Sequence, residues 1–360
     1  MSLLQKITGL LQRDAPQLLY VRIPPDHVDI TYNAVPMEAG RHYFRLWLSE
    51  MYLKSSFKWF SSWYPAVHSL VHFQYDGKMV EVPMIAGSLN LQDVNEKNLD
   101  KALRLSYQMT TLMPFSGNVV EVAAGLLAMQ GNNYLNQCIK VLGDFAGMLA
   151  LPQLSTVMNV ATTVANEVDQ LIDAGNGQLH LGLHDTFTGK GGGGNELRAG
   201  YLTVILATES QVKPGSLWVE DGRLRSGLDK NNTAAFTGYT YMLFRIENRE
   251  ERDDWDALST IQEPFRKAIE ALREGKKGTE RAESFLRTSI TAALVSPDLT
   301  KADRSRVATA MKEEYEAAQK LGLGAISEDN TRLSKVIQRA MPVSRAARRR
   351  EVTFNDLFAL

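Results

Sequence analysis

Four of the chain's six histidines fall into two pairs with the same spacing, His68 and His72 in VHSLVHF and His180 and His184 in LHLGLHD. Both contexts read as β-strands, whose period of two turns residues four apart toward one face. Two such strands side by side would gather four imidazoles, enough for a metal site or a general base. Reach argues against the metal. Residues four apart on a strand are separated by roughly 13 Å, so neither pair can grip one ion unless its strand bulges. The histidines are therefore expected to be structural or surface residues, with no metal and no cofactor.

A second candidate lies just beyond them in TGKGGGGNELRAG, where Gly191 to Gly194 run consecutively. Successive glycine N–H groups can wrap an anion. The neighbours do not suit a phosphate loop, because Lys190 precedes the glycines whereas a P-loop places its Lys after them and beside Ser or Thr. A dinucleotide loop opens a helix, and Leu197 to Glu209 reads as another strand. A flexible strand connection is the expected role. A hydrolase-like enzyme with its site near His180, His184 and Gly191–Gly194 stands as the alternative, although no nucleophile elbow, kinase signature, HExxH motif or paired cysteine names a reaction. The single cysteine, Cys138, sits in an apolar helical pattern and reads as a buried small hydrophobe.

The densest aromatic region holds Trp47, Trp59 and Trp63 with Phe44, Tyr52, Phe57, Phe60 and Tyr64, interleaved with Arg45, Lys54 and Lys58. Aromatic and basic side chains together can stack the bases of a single strand. The phosphate-binding term is missing, however, since 40 basic and 41 acidic residues leave a formal net charge of −1 and no global field to attract nucleic acid. Packing inside a sheet is the expected use of these aromatics, and nucleic acid is not expected as a partner.

Positive charge is concentrated at one place, the C-terminal SRAARRREVTFNDLFAL. Arg345, Arg348, Arg349 and Arg350 precede Phe354, Leu357 and Phe358, whose i, i+3, i+4 spacing makes one apolar face. A short helix of this kind docks in a groove, with apolar anchors giving affinity and arginines giving orientation. The dock is either another protein or this chain's own acidic segment ENREERDDWD, residues 247–256, and a disordered tail is the third alternative, since termini fray unless tied down.

Elements must hold these residues in place, and the patterning divides the chain. Residues 1–16 read as an amphipathic N-terminal helix, and 17–250 as a β-rich domain whose short strands are punctuated by Pro, Gly, Asn and Asp. The strand readings include VDITYN at 28–33 and a hairpin at Asp76-Gly77. Within that domain 132–173 has helical period and little charge, giving a helical hairpin that is either a buried central element or a latent membrane contact. Residues 251–341 form a helical domain, with Thr300 and Asp303 resembling a helix cap, and 342–360 are the Arg-rich tail. The expected fold class is α+β: an antiparallel β-sandwich-like domain with an inserted helical hairpin, followed by a C-terminal helical domain.

With 44% hydrophobic and 22% charged residues over 360 positions, the chain has the composition of an ordinary globular protein. No run approaches the ~18 apolar residues a membrane helix needs, no secretory leader is evident, and the one cysteine forms no internal disulfide, so a soluble cytoplasmic protein is expected. The leading functional expectation is a non-catalytic interaction or regulatory protein within a multi-protein assembly. A membrane-active effector using the hairpin is the third reading.

Overall fold

The computed structural model describes residues 18–54, 64–86, 102–129 and 178–321, with residues 8 and 9 and isolated positions between 153 and 170. The fold is α+β, with antiparallel sheets followed by helices. The strands are β1 (Leu18–Ile23), β2 (Tyr43–Tyr52), β3 (Tyr64–Tyr75), β4 (Lys78–Ala86), β5 (Ala102–Gln108), β6 (Met113–Pro114), β7 (Val119–Met129), β8 (Gln178–Thr188), β9 (Gly200–Leu206), β10 (Leu217–Glu220), β11 (Arg223–Gly227), β12 (Thr233–Ala235) and β13 (Tyr241–Arg249). They make a first sheet in the order β1-β9-β13-β2-β5, with β6 also on β2, a second in the order β4-β3-β7-β8, and a small third, β10-β11-β12.

Much of the first sheet is buried on both faces. Phe44, Leu46, Leu202, Val204, Met242, Phe244 and Ile246 meet Val67, Val71, Phe73, Val120, Val122, Leu181 and Phe187 of the second sheet in one apolar core. On the opposite face Val21, Ile23, Ile205, Tyr241 and Leu243 pack against Leu217, Val219 and Leu224 of the small sheet. This double burial explains why GYLTVIL and YMLFRI are almost continuously apolar rather than alternating with polar residues.

A bulge in β2 connects the layers. Leu243 of β13 pairs with Glu50 while its neighbour Phe244 pairs with Leu48, so Ser49 is the extra residue. The insertion reverses the facing of the strand residues beyond it. Glu50 thereby lies on the side of the small sheet, where its Oε2 accepts hydrogen bonds from the Tyr241 hydroxyl and the Leu224 N–H, each at 2.7 Å.

Two Asp-Gly turns close hairpins. Asp76 and Gly77 have φ of +48° and +74°, and Asp221 and Gly222 have +51° and +71°. Positive φ at both central residues is the geometry that matches the twist of the flanking strands. The strand expected at residues 28–33 is absent. Pro24 and Pro25 lead into a 3₁₀ turn at Pro25–His27, and only Val28 is bridged, in parallel, to Val219.

After Arg249 the chain leaves the sheets and forms α1 (Ser259–Leu272), α2 (Thr279–Val295) and α3 (Lys301–Lys320). Their shared core includes Leu258, Ile261, Phe265, Ala282, Ala293, Val307, Met311 and Tyr315. Thr300 caps α3, its hydroxyl accepting from the Asp303 N–H at 3.2 Å. The described positions 154, 156, 157, 163, 166, 167 and 170 are helical, with Leu154 and Val157 buried. The first hairpin helix, Cys138, Trp59, Trp63 and the helical pattern at 330–340 lie outside the described residues, as does nearly all of the N-terminal segment.

Candidate functional site

Adjacent strands bring part of the histidine set together, on the outer face of the second sheet. His72 of β3 is in register with Glu121 of β7, and His184 of β8 is in register with Ala123, two residues further along that strand. Glu121 Oε1 lies 2.7 Å from His184 Nε2, and Oε2 lies 3.3 Å from His72 Nδ1. Burial raises the Glu121 pKa, but its hydrogen bonds to the two imidazoles outweigh this and hold it below the usual carboxylate range. The arrangement is a carboxylate clasped by two imidazoles, which favour its ionised form.

The other two histidines do not join it. His180 is the extra residue of a second bulge, since Leu126 pairs with Leu181 and the next residue, Leu127, pairs with Leu179; the period-two facing assumed for His180 and His184 is thereby broken. His68 is fully buried, its Nδ1 lies 2.7 Å from the Met84 carbonyl oxygen, and its Nε2 has no partner among the described residues. Burial pushes its pKa down to about 4. No group of three potential ligands suited to a metal ion occurs among the described residues.

The glycine run is a knit turn rather than an open anion cradle. The Gly189 N–H donates to the Asn118 carbonyl, the Lys190 N–H to Met37, and the Gly192 N–H to Gly189. The Gly191 N–H donates to the Glu196 carboxylate at 3.0 Å, and the Thr188 hydroxyl donates to the Gly193 carbonyl at 2.6 Å. A carboxylate from five residues along thus occupies the place an anionic ligand would take. The Gly191 bond comes first, with Arg198 next, in lowering the Glu196 pKa. Gly191, Gly193 and Gly194 all have φ above +70°, which accounts for glycine at these three positions.

The aromatic cluster separates by facing. Phe44 and Tyr52 are buried, whereas Trp47 is half-buried on the face of the first sheet that turns away from the sandwich core. In register beside it stands Arg245 of β13, whose Cζ lies 4.9 Å from the Trp47 ring centroid, with Arg45 Cζ at 5.7 Å. The Trp47 indole N–H donates to Glu247 Oε2 at 2.9 Å, and Arg249 Nε donates to Glu247 Oε1 at 2.6 Å. Sequence reasoning grouped Trp47 with Arg45, met Glu247 and Arg249 only as part of the acidic segment, and did not single out Arg245; strand register brings these three alongside Trp47.

The acidic segment 247–256, weighed as an internal dock for the C-terminal arginines, already has basic partners. Glu250 pairs with Arg41 at 3.2 Å, Asp253 with Arg249 at 3.8 Å, Asp254 with Arg252 at 2.7 Å and Glu251 with Arg306 at 3.7 Å. The tail residues themselves, Arg345, Arg348, Arg349, Arg350, Phe354, Leu357 and Phe358, lie outside the described residues. No described helix is long and apolar enough to cross a membrane. No protein-family model matches the chain, and no significant match is found among curated proteins or solved structures.

Proposed function

We propose that this chain is a non-catalytic interaction or regulatory protein that engages another protein through its Arg-rich C-terminal tail. The supporting observation is the state of the acidic segment. Glu250, Glu251, Asp253 and Asp254 each pair with an arginine from the folded part of the chain, so an incoming Arg345 or Arg348 would meet acids whose charge is already balanced. A tethered partner has lost less freedom than a free tail would lose, and exposed exchanges of this kind yield little. The arginines and the Phe354, Leu357, Phe358 face are thus better matched to a groove on a separate protein, where apolar anchors supply the affinity.

Deleting residues 343–360 tests the reading. The truncated protein is expected to melt at the temperature of the full chain and to lose a partner that co-purifies from its native cell. A marked fall in melting temperature would instead place the tail on its own protein, and an unchanged set of partners would remove the tail from recognition altogether.

A further inference from the structure

The strongest feature outside the proposed tail interaction is the pair of arginines around Trp47. Arg45 and Arg245 retain only 18% and 34% of their side-chain exposure, yet neither guanidinium makes a hydrogen bond among the described residues, and the Nε of each is buried without a partner among them. Their one common counter-charge is Glu247, at 3.9 Å from Arg45 NH1 and 3.9 Å from Arg245 NH2. Both Glu247 oxygens are already accepting, from Trp47 and from Arg249. The other nearby acids lie closer to other arginines, Asp253 by Arg249 and Asp254 by Arg252, although Asp254 also attracts Arg45. Two guanidiniums, each with five N–H donors, therefore share one carboxylate that also serves Trp47 and Arg249, so their donors are left largely unused among the described residues.

We propose that Arg45 and Arg245 form a binding site for a tetrahedral oxyanion of the phosphate class, either free phosphate or the phosphoryl group of a small monoester. The strand register fixes the two arginines on neighbouring strands, and the Trp47 ring beneath both guanidiniums restrains them through cation–π contact, so little ordering remains to be done on binding. A planar carboxylate is best matched by one guanidinium fork. A phosphate has oxygens directed to several sides and can accept from two forks that are not coplanar. Glu247 takes part as a positioning residue, holding the Trp47 indole by its N–H.

Isothermal titration of the full chain in a phosphate-free buffer at constant ionic strength tests the site, with inorganic phosphate, methyl phosphate and acetate as probes. Saturable one-to-one binding of inorganic phosphate or methyl phosphate is expected, with methyl phosphate the tighter if a monoester is the true ligand. Arg245→Gln should weaken it at least tenfold, as should Arg45→Gln, while Arg198→Gln, whose guanidinium pairs with Glu196 elsewhere, should leave it unchanged. Arg245, the more exposed of the two, keeps the test available should the Arg45 variant fail to fold. Lack of saturable binding by either phosphate, equal binding of acetate, or binding indifferent to Arg245→Gln would each overturn the proposal.

Discussion

His68 shows what one buried side chain costs and how pH should reveal it. Its Nδ1 is bonded to the Met84 carbonyl and its Nε2 to nothing among the described residues, so the ring is held as the neutral tautomer with the proton on Nδ1. Charging it inside the fold is unfavourable because burial removes the water that would solvate the imidazolium. A group whose folded pKa lies near 4 rather than 6.5 binds fewer protons folded than unfolded between those values, so stability rises with pH there. Its contribution is complete above pH 6.5 and disappears as the pH falls toward 4, about 3 kcal/mol in all. Urea unfolding at pH 7, 5.5 and 4 should show that loss in the parent, and His68→Gln should flatten it. Equal slopes for the two proteins would mean that His68 is protonated, or hydrated, within the fold.

At the scale of elements, legibility tracked the strength of the local pattern. QLHLGLHDTFT became β8 and the 3.6-residue period of TERAESFLRTSITAALV became α2, because long regular patterns are imposed by one continuous buried face. The short strands RLRSG and TAA of the small sheet went unread. Five and three residues carry too little periodicity, and charged Arg223 and Arg225 obscure it. Bulges defeated reasoning about facing at His180, since one inserted residue reverses a period of two. The partnership of Trp47 with Arg245 was invisible for a different reason: it depends on register between strands far apart in the sequence. The Asp-Gly turns were local and give a local prediction. A Cβ at Gly77 or Gly222 would meet nothing within 4 Å, so Gly77→Ala and Gly222→Ala should each cost only the backbone penalty of positive φ, about 1 kcal/mol. Chemical denaturation of both variants measures it, and a loss several times larger would show that the turn supports more than its own hairpin.

For the whole molecule, the decisive contact is the polar seam between the sheets and the helices. Asp303, in the first turn of α3, accepts from the Tyr43 hydroxyl of β2 at 2.8 Å and from the Arg252 N–H at 3.0 Å through one oxygen, and from Arg306 through the other. The Thr300 N–H donates to the same Tyr43 hydroxyl at 2.9 Å. Asp298 accepts from the Tyr75 hydroxyl at 3.0 Å and from the Leu154 N–H at 2.7 Å. Tyr43, Arg252, Asp298, Thr300 and Asp303 are all at most 2% exposed, and burial, with Asp303 next, raises the Tyr43 pKa. A satisfied buried network fixes one docking geometry, because any other leaves several polar groups unpaired in a dry environment. The sheets and helices should consequently unfold together, in a single calorimetric transition. Tyr43→Phe removes one donor and strands the Thr300 N–H, for an expected loss of about 1–3 kcal/mol. Asp303→Ala strands the Arg252 N–H and the Tyr43 hydroxyl at once and leaves Arg306 with only Glu251 and the Arg252 carbonyl, for about 3 kcal/mol, and should split the transition so that the helical signal melts first. Since the two substitutions act on one network, their combination should cost less than the sum of the single losses. Strict additivity, or a parent protein that already melts in two steps, would show that the seam is a passive contact and that the helices are held by apolar packing alone.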